Sequence, residues 1–316
     1  MIDFIFDTDA GADCDDIMAL TYLTYAVKRK MIRILAVTHC LDTPHGVPAI
    51  RSFFRFFGEV TPPVGRMVGG AHIPDNYTQG MSEKFATGAD FDDAEPAVRV
   101  LRRALVQSEN GCVICAVGQF TNIAALLNSQ PDDISPMTGA ELMKKKCREL
   151  VVMATNLYSS EPEWNVKWDV PAAKTMFARC AAPITVLPFE TGIDMITGSG
   201  LVEKYGDSTP LTLSFILFNE KVCPHSCDPK KAGRHSWDPA TAVYAVEGVK
   251  EFLVKSEPGR IELNDEGGAI FIPCENGNVR MLLPNRAGGI SEQEAKNRMA
   301  AYIDVCAAAV LENNVK

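Results

Sequence analysis

The sequence predicts an α/β fold, a single domain with a mostly parallel, doubly wound (Rossmann-like) sheet flanked by helices. Three observations predict it. Short, nearly continuous apolar runs recur over residues 1–190, as strands buried on both faces require. Stretches with apolar residues at helical spacing lie between these runs. The strand–helix alternation repeats about six times, the pattern of a parallel sheet wound by crossover helices. At 316 residues the chain suits one α/β domain, and no linker, repeat or low-complexity segment divides it. One domain spanning residues 1–316 is expected.

In order, the runs at residues 2–6, 32–37, 113–117, 150–153 and 184–187 are predicted strands. The helix predicted over 16–29 carries Ile17, Leu20, Leu23 and Tyr25 on a rough helical period. Residues 97–107 place Val98, Leu101 and Leu105 at spacings of three and four, which share one helix face. Helices over 121–127 and 171–179 follow two of the strands directly. Beyond residue 190 the pattern loosens. Residues 211–217 are apolar enough for a helix. Residues 238–246 read as another, with Asp238 as a good N-cap and Pro239 in the first turn. Residues 251–254, 260–263 and 279–283 alternate as edge strands do, and a terminal helix is predicted over 291–311.

Composition excludes several classes. With 47% apolar and 22% charged residues, the chain is ordinary for a globular protein. A net charge of −9 argues against nucleic acid as a partner, which needs a basic face. No apolar run is long enough to cross a bilayer, so no membrane partner is expected. No positively charged segment precedes an apolar run at the N-terminus, so a cytoplasmic protein with reduced cysteines is expected. Cys112 and Cys115 sit inside an apolar run, where a thiol packs as a small hydrophobe. Cys223, His225 and Cys227 are possible ligand types, but no second pair lies at zinc-site spacing, so zinc is not expected.

The chemistry concentrates at the end of the first strand. Asp7, Asp9, Asp13, Asp15 and Asp16 fall within ten residues, between an apolar strand and a helix. Like charges so close need a compensating positive group. A hard divalent cation serves well, because Ca²⁺ takes six to eight oxygen ligands. Arg or Lys partners, or partial solvation, are the structural alternatives. The carboxyl end of a strand is also where α/β sheets bind ligands.

Three further segments place polar groups after strands: residues 118–122, residues 154–156 with 163–169, and residues 233–240. Singly, each has a packing role available, and Trp164, Trp168 and Trp237 suit a core as well as a ligand. Together they open on one sheet edge. Here the sequence resembles the nucleoside hydrolases of the inosine–uridine-preferring family. The run from Asp7 through Asp9 to Asp15 and Asp16 is similar to that family's aspartate cluster. Val117 to Asn122 resembles its T-G-G-L-T-N turn, Glu163-Trp164-Asn165 its E-F-N, and Asp238-Pro239 its late aspartate. The matches occur in the family's order and run from residue 7 to residue 239.

The resemblance implies a nucleoside hydrolase fold and calcium-dependent hydrolysis of the N-glycosidic bond of ribonucleosides, as part of purine salvage. Asp9, Asp16, Asp238 and the Val117 carbonyl would hold Ca²⁺. Asp15, Glu163 and Asn165 would bind the ribose, with Asn156 a further candidate and Asp42 near where base or sugar contacts fall. Asp9 would activate a water held at the cation, and the carboxylates would favour the oxocarbenium-like ribosyl group. Asp7 is expected to be structural, bonding to loop amides. Asp13 falls in a two-residue extension of the loop and has no assigned role. Where inosine–uridine-preferring members place a His before the late Asp, this chain has Trp237, similar to the purine-specific branch, in which an indole stacks on the base. His235, two residues upstream, is a substitute acid. The resemblance implies a homodimer or homotetramer.

Two rivals stand beside this reading. Asp7-Thr8-Asp9 also resembles the nucleophile–acid pair of haloacid-dehalogenase-like phosphatases, which use Mg²⁺. A non-catalytic calcium- and ribose-binding homologue would keep the aspartates and lack leaving-group activation.

Overall fold

In the computed structural model, which describes residues 1–222 and 228–314, the apolar runs pair into one ten-stranded sheet. Its strands begin with β1 (Ile2–Thr8), β2 (Ile32–His39), β3 (Val64–Arg66), β4 (Cys112–Ala116), β5 (Cys147–Met153) and β6 (Ile184–Leu187). A separate antiparallel ribbon pairs β7 (Ile196–Thr197) with β8 (Arg234–His235). The main sheet resumes with β9 (Leu253–Lys255), β10 (Gly259–Leu263), β11 (Ala269–Pro273) and β12 (Val279–Pro284). The order across it is β11-β10-β12-β6-β5-β4-β1-β2-β3, with β9 on β12. Strands from β3 to β12 along this order run parallel. Strands β9 and β10 pair antiparallel with β12, and β11 with β10.

Side chains alternate across a strand, so each strand feeds two cores. Phe4, Phe6, Val113 and Cys115 enter one core, with the helices Asp15–Lys28, Trp237–Glu247 and Glu292–Glu312. Ile5, Ile114 and Val152 enter the other, with the helices Ala97–Gln107, Thr121–Asn128 and Val170–Arg179. The rough period of the first helix has a physical cause. It is buried on most sides, packed by the helices Pro210–Val222, Trp237–Glu247 and Glu292–Glu312, and a helix wrapped in protein needs no polar stripe.

The expected strands and helices are present with ends shifted by a few residues. Two positions are corrected: residues 260–263 and 279–283 form no edges, because β10 lies between β11 and β12, and β12 between β6 and β10. Asp238 is not an N-cap; it lies in the first turn of the helix Trp237–Glu247, after Ser236. Strand β3, with only three residues, and the helices Gly46–Phe56 and Gly139–Lys146 were not anticipated from sequence. Cys112 and Cys115 are buried free thiols in β4, while Cys223, His225 and Cys227 lie outside the described residues. No helix among the described residues is long and apolar enough to cross a membrane.

What positions the site is the strand order. From β1 the chain steps outward to β2 and β3, then returns to β4 on the other side of β1. The connections leaving β1 and β4 therefore diverge, and a crevice opens at their carboxyl ends, the usual ligand site of a doubly wound sheet.

Candidate active site

Asp7 ends its role inside the sheet. Its carboxylate accepts hydrogen bonds from the Thr38 hydroxyl on β2 and, at 2.8 Å, from the Asn122 side-chain amide. Its partners are thus side chains of neighbouring elements and not loop amides. Past Thr8 the chain turns through Gly11, whose φ of +126° an L-residue rarely adopts, and enters the helix Asp15–Lys28. This turn carries Asp9, Asp13, Asp15 and Asp16 to the crevice. Gly118, after β4, is required there for space: a Cβ would stand 2.8 Å from the Asp9 Cβ and 2.6 Å from the Cys40 sulfur.

Three buried carboxylates converge. One oxygen each from Asp9, Asp16 and Asp238 lies within 4.8 Å of the others. Asp16 accepts from the Thr8 hydroxyl with Oδ1, while its buried Oδ2 has no partner among the described residues. Asp15 sits differently. It accepts from the backbone amides of Trp237 at 3.0 Å and Asp238 at 3.1 Å, where a helix N-terminus favours negative charge. These bonds tie the first turn of the chain to its late aspartate. Among the described residues Asp13 alone of the cluster pairs with a cation: Arg234 donates through Nε at 2.9 Å and through Nη2 at 2.5 Å. Arg234 therefore pairs directly with one carboxylate of the cluster and eases Asp15 only through space.

The opposite wall comes from β5 onward. The Glu163 carboxylate caps the short helix Trp164–Lys167, accepting from Asn165 N at 3.0 Å and Val166 N at 3.4 Å. It also accepts from Thr155 N at 3.3 Å, and Thr155 holds a left-handed φ of 67°, costly for a β-branched residue. Asn165 donates through Nδ2 to the Val117 carbonyl at 2.7 Å. Trp237 stacks on Phe189 with ring centroids 5.4 Å apart, and its indole N–H donates to the Phe189 carbonyl at 2.8 Å. Gly192 makes room, since a Cβ there would meet the indole at 2.2 Å.

Burial raises every carboxyl of this cluster that it strips of water without a compensating charge. Asp9 is pushed up to about 8, first by burial and then by Asp13. Asp7 and Glu163 each rise to about 7 for the same leading reason. Asp15, Asp16 and Asp238 stand well above the ordinary carboxylate range, again through burial and then neighbouring aspartates. A group of acids this expensive to ionise fits a site that receives positive charge.

The cleft encloses about 410 Å³, within the range of small-molecule sites. A profile of the inosine-uridine preferring nucleoside hydrolases matches residues 4–312. The chain belongs to that family. Family members are hydrolases of N-glycosidic bonds, so the chain is an enzyme of this class and the phosphatase alternative has no support. Solved nucleoside hydrolase structures share the fold. The purine-preferring ribonucleoside hydrolase from Gardnerella vaginalis is 17% identical with a TM-score of 0.68, covering 97% of this chain and 99% of that one. The inosine-guanosine nucleoside hydrolase is 14% identical with a TM-score of 0.69, covering 96% and 98%. The type III effector protein XopQ, solved with adenosine diphosphate ribose, is 14% identical with a TM-score of 0.65, covering 96% and 94%. No curated protein matches the chain in a sequence search.

Of the residues that nucleoside hydrolase resemblance implied, Asp9, Asp15, Asp16, Val117, Glu163, Asn165, Trp237 and Asp238 all line the one cleft. Three do not. Asn156 turns its amide to the Glu161 carbonyl at 2.7 Å. Asp42 is exposed, with His72 3.9 Å away. His235 accepts from the Asp194 amide with Nδ1 at 2.9 Å and packs beside Trp237 without lining the cleft. Phe189, Phe218 and Asn76 line it unannounced by any motif. Arg234 does too; its signal was proximity to Asp238, which gave no hint of the Asp13 pairing.

Proposed function

We propose that the chain catalyses calcium-dependent hydrolysis of ribonucleosides, releasing ribose and a free base, with purines favoured. The observation that carries this reading is the convergence of Asp9, Asp16 and Asp238, with Asp16 Oδ2 buried and without a partner among the described residues. An all-oxygen, all-anionic donor set suits Ca²⁺. Asp9, Asp16, Asp238 and the Val117 carbonyl would hold the ion. When bound, it supplies compensating positive charge and a Lewis-acidic centre.

The protein's own groups do the rest. Asp9 takes the proton of the attacking water. Asp15, Glu163 and Asn165 orient the ribose, Asp15 and Glu163 held rigid by backbone amides and Asn165 by the Val117 carbonyl. The carboxylates favour the positive ribosyl group as the glycosidic bond breaks. Trp237 and Phe189 offer the base an apolar, aromatic wall.

The test is reducing-sugar release from inosine, guanosine, adenosine, uridine and cytidine, before and after EDTA and with Ca²⁺ restored. Release from purines that EDTA stops and Ca²⁺ restores is the expected outcome. Ribose binding without release from any nucleoside would favour the non-catalytic binder. Full activity after rigorous chelation would remove the calcium assignment.

A further inference from the structure

We propose that Arg234 is a catalytic residue at the base end of the cleft, where its guanidinium takes the O6 and N7 acceptors of a 6-oxopurine. There it stabilises the negative charge that the base gains on leaving. The inference rests on the nucleoside-hydrolysis reading above and assigns it a leaving-group residue and a substrate class.

The geometry is specific. Arg234 stands on β8, whose pairing with Thr197 on β7 sets its backbone. Asp13 takes the guanidinium side-on, through Nε and one Nη2 hydrogen. Both Nη1 hydrogens and the second on Nη2 have no acceptor among the described residues. None of these nitrogens is among the buried atoms lacking a partner, so the free edge is accessible, on a residue that lines the cleft. The guanidinium carbon lies 4.9 Å from the Phe218 ring centroid and 5.5 Å from that of Trp237. One carboxylate and two rings thus fix a planar two-pronged donor before substrate arrives.

Its surroundings narrow the ligand. Asp9, Asp13, Asp15, Asp16, Glu163 and Asp238 line the cleft, and Arg234 is the one cation among the described lining residues. A phosphate would face this negative field; the neutral edge of a base does not. Paired acceptors at O6 and N7 match an arginine fork, the pairing by which arginine reads guanine. Adenine turns an amino donor toward the same edge and gains less.

The chemistry balances without a proton from Arg234, which stays charged throughout. The C1′–N9 bond breaks and its electron pair goes to the base. Water oxygen bonds to C1′, and its proton goes to Asp9. The anionic base, held by the free guanidinium edge, takes a proton from solvent on release.

The competing role is a staple that merely holds the Asp13 turn. The experiment compares kcat on inosine with kcat on p-nitrophenyl riboside, whose leaving group needs no help, with Ca²⁺ present. Arg234→Met is expected to lower the inosine-to-p-nitrophenyl ratio about 100-fold, the scale of losing one charge-stabilising donor. Arg234→Lys, which keeps the charge without the fork, is expected to recover part of it, and Asp13→Asn to lower the ratio about tenfold. The wild type is expected to favour inosine and guanosine over adenosine. Parallel losses on both substrates, or an unchanged ratio, would overturn the assignment. A wild type inactive on both substrates would instead remove the hydrolysis reading beneath it.

Discussion

The floor and the wall of the cleft are made in different ways. Asp9, Asp15 and Asp16 come from one turn between β1 and a helix, whereas Phe189, Phe218 and the Arg234–Trp237 pair come from three separated segments. At the floor, spacing along the chain dictates spacing in space, because a strand end and a helix start leave a six-residue turn little freedom. At the wall, position depends on how distant helices pack. The acidic floor is set mainly by one local turn, to which Asp238 is added from afar, while the aromatic wall is assembled entirely by tertiary structure.

The largest expected effect lies at the floor. Asp16→Asn removes one of the three converging carboxylates and is expected to lower kcat at least about 10³-fold on every substrate, nucleoside or p-nitrophenyl riboside alike. Thermal melting then checks the cause. Asp9 titrates near 8 in the fold against 3.8 ordinarily, so the folded state holds its proton more tightly than the unfolded chain. That contribution to stability is fully present below about pH 4 and is lost as pH rises toward 8. Chelated wild type should therefore lose melting temperature over this window, and Ca²⁺ should restore more at pH 8 than at pH 5.5. In Asp16→Asn the loss should be shallower and the Ca²⁺ shift absent. A full Ca²⁺ shift in the variant would show that the cluster is not the cation site.

The same contrast explains what was legible in the sequence. The alternating apolar runs predicted the parallel sheet because strands buried on both faces have no other way to read. The floor was legible because five aspartates in ten residues have few uses. Arg234 and Phe218 were not legible, since an arginine near a helix start and a phenylalanine in an apolar helix look alike whether or not they face a ligand. Asn156 and Asp42 failed for the reverse reason. Each lies after a strand's carboxyl end, as a site residue should, but neither lines the cleft: Asn156 bonds to the Glu161 carbonyl and Asp42 is exposed to solvent.

At the wall, Trp237→Ala should cost about 10–100-fold in kcat/KM on purine nucleosides, the scale of one base–aromatic stack. It should cost clearly less on p-nitrophenyl riboside. Trp237 also packs on Phe189 and Gly192, so the unspecific outcome is concrete: equal losses on every substrate with a lowered melting temperature. That result would make Trp237 a packing residue and shift base selection to Phe218 and Arg234.

The smallest expected effect sharpens the boundary between wall and surroundings. His235 neighbours both Trp237 and Arg234 in sequence, and as the nearest histidine to the late aspartate it is the obvious acid for the departing base. Its geometry speaks against that role. Nδ1 accepts the Asp194 amide, so in the neutral ring the proton sits on Nε2. Burial, followed by the charge of Arg234, lowers its pKa below the ordinary 6.5, which leaves the ring neutral at pH 7. A neutral imidazole is a poor acid, and this one does not line the cleft. His235→Gln should therefore keep kcat on inosine within about twofold and leave the alkaline limb of its pH profile in place. A tenfold fall in kcat together with loss of that limb would mean that the imidazole reaches the base during turnover. Proton donation would then belong to the wall, and Arg234 would only orient what His235 protonates.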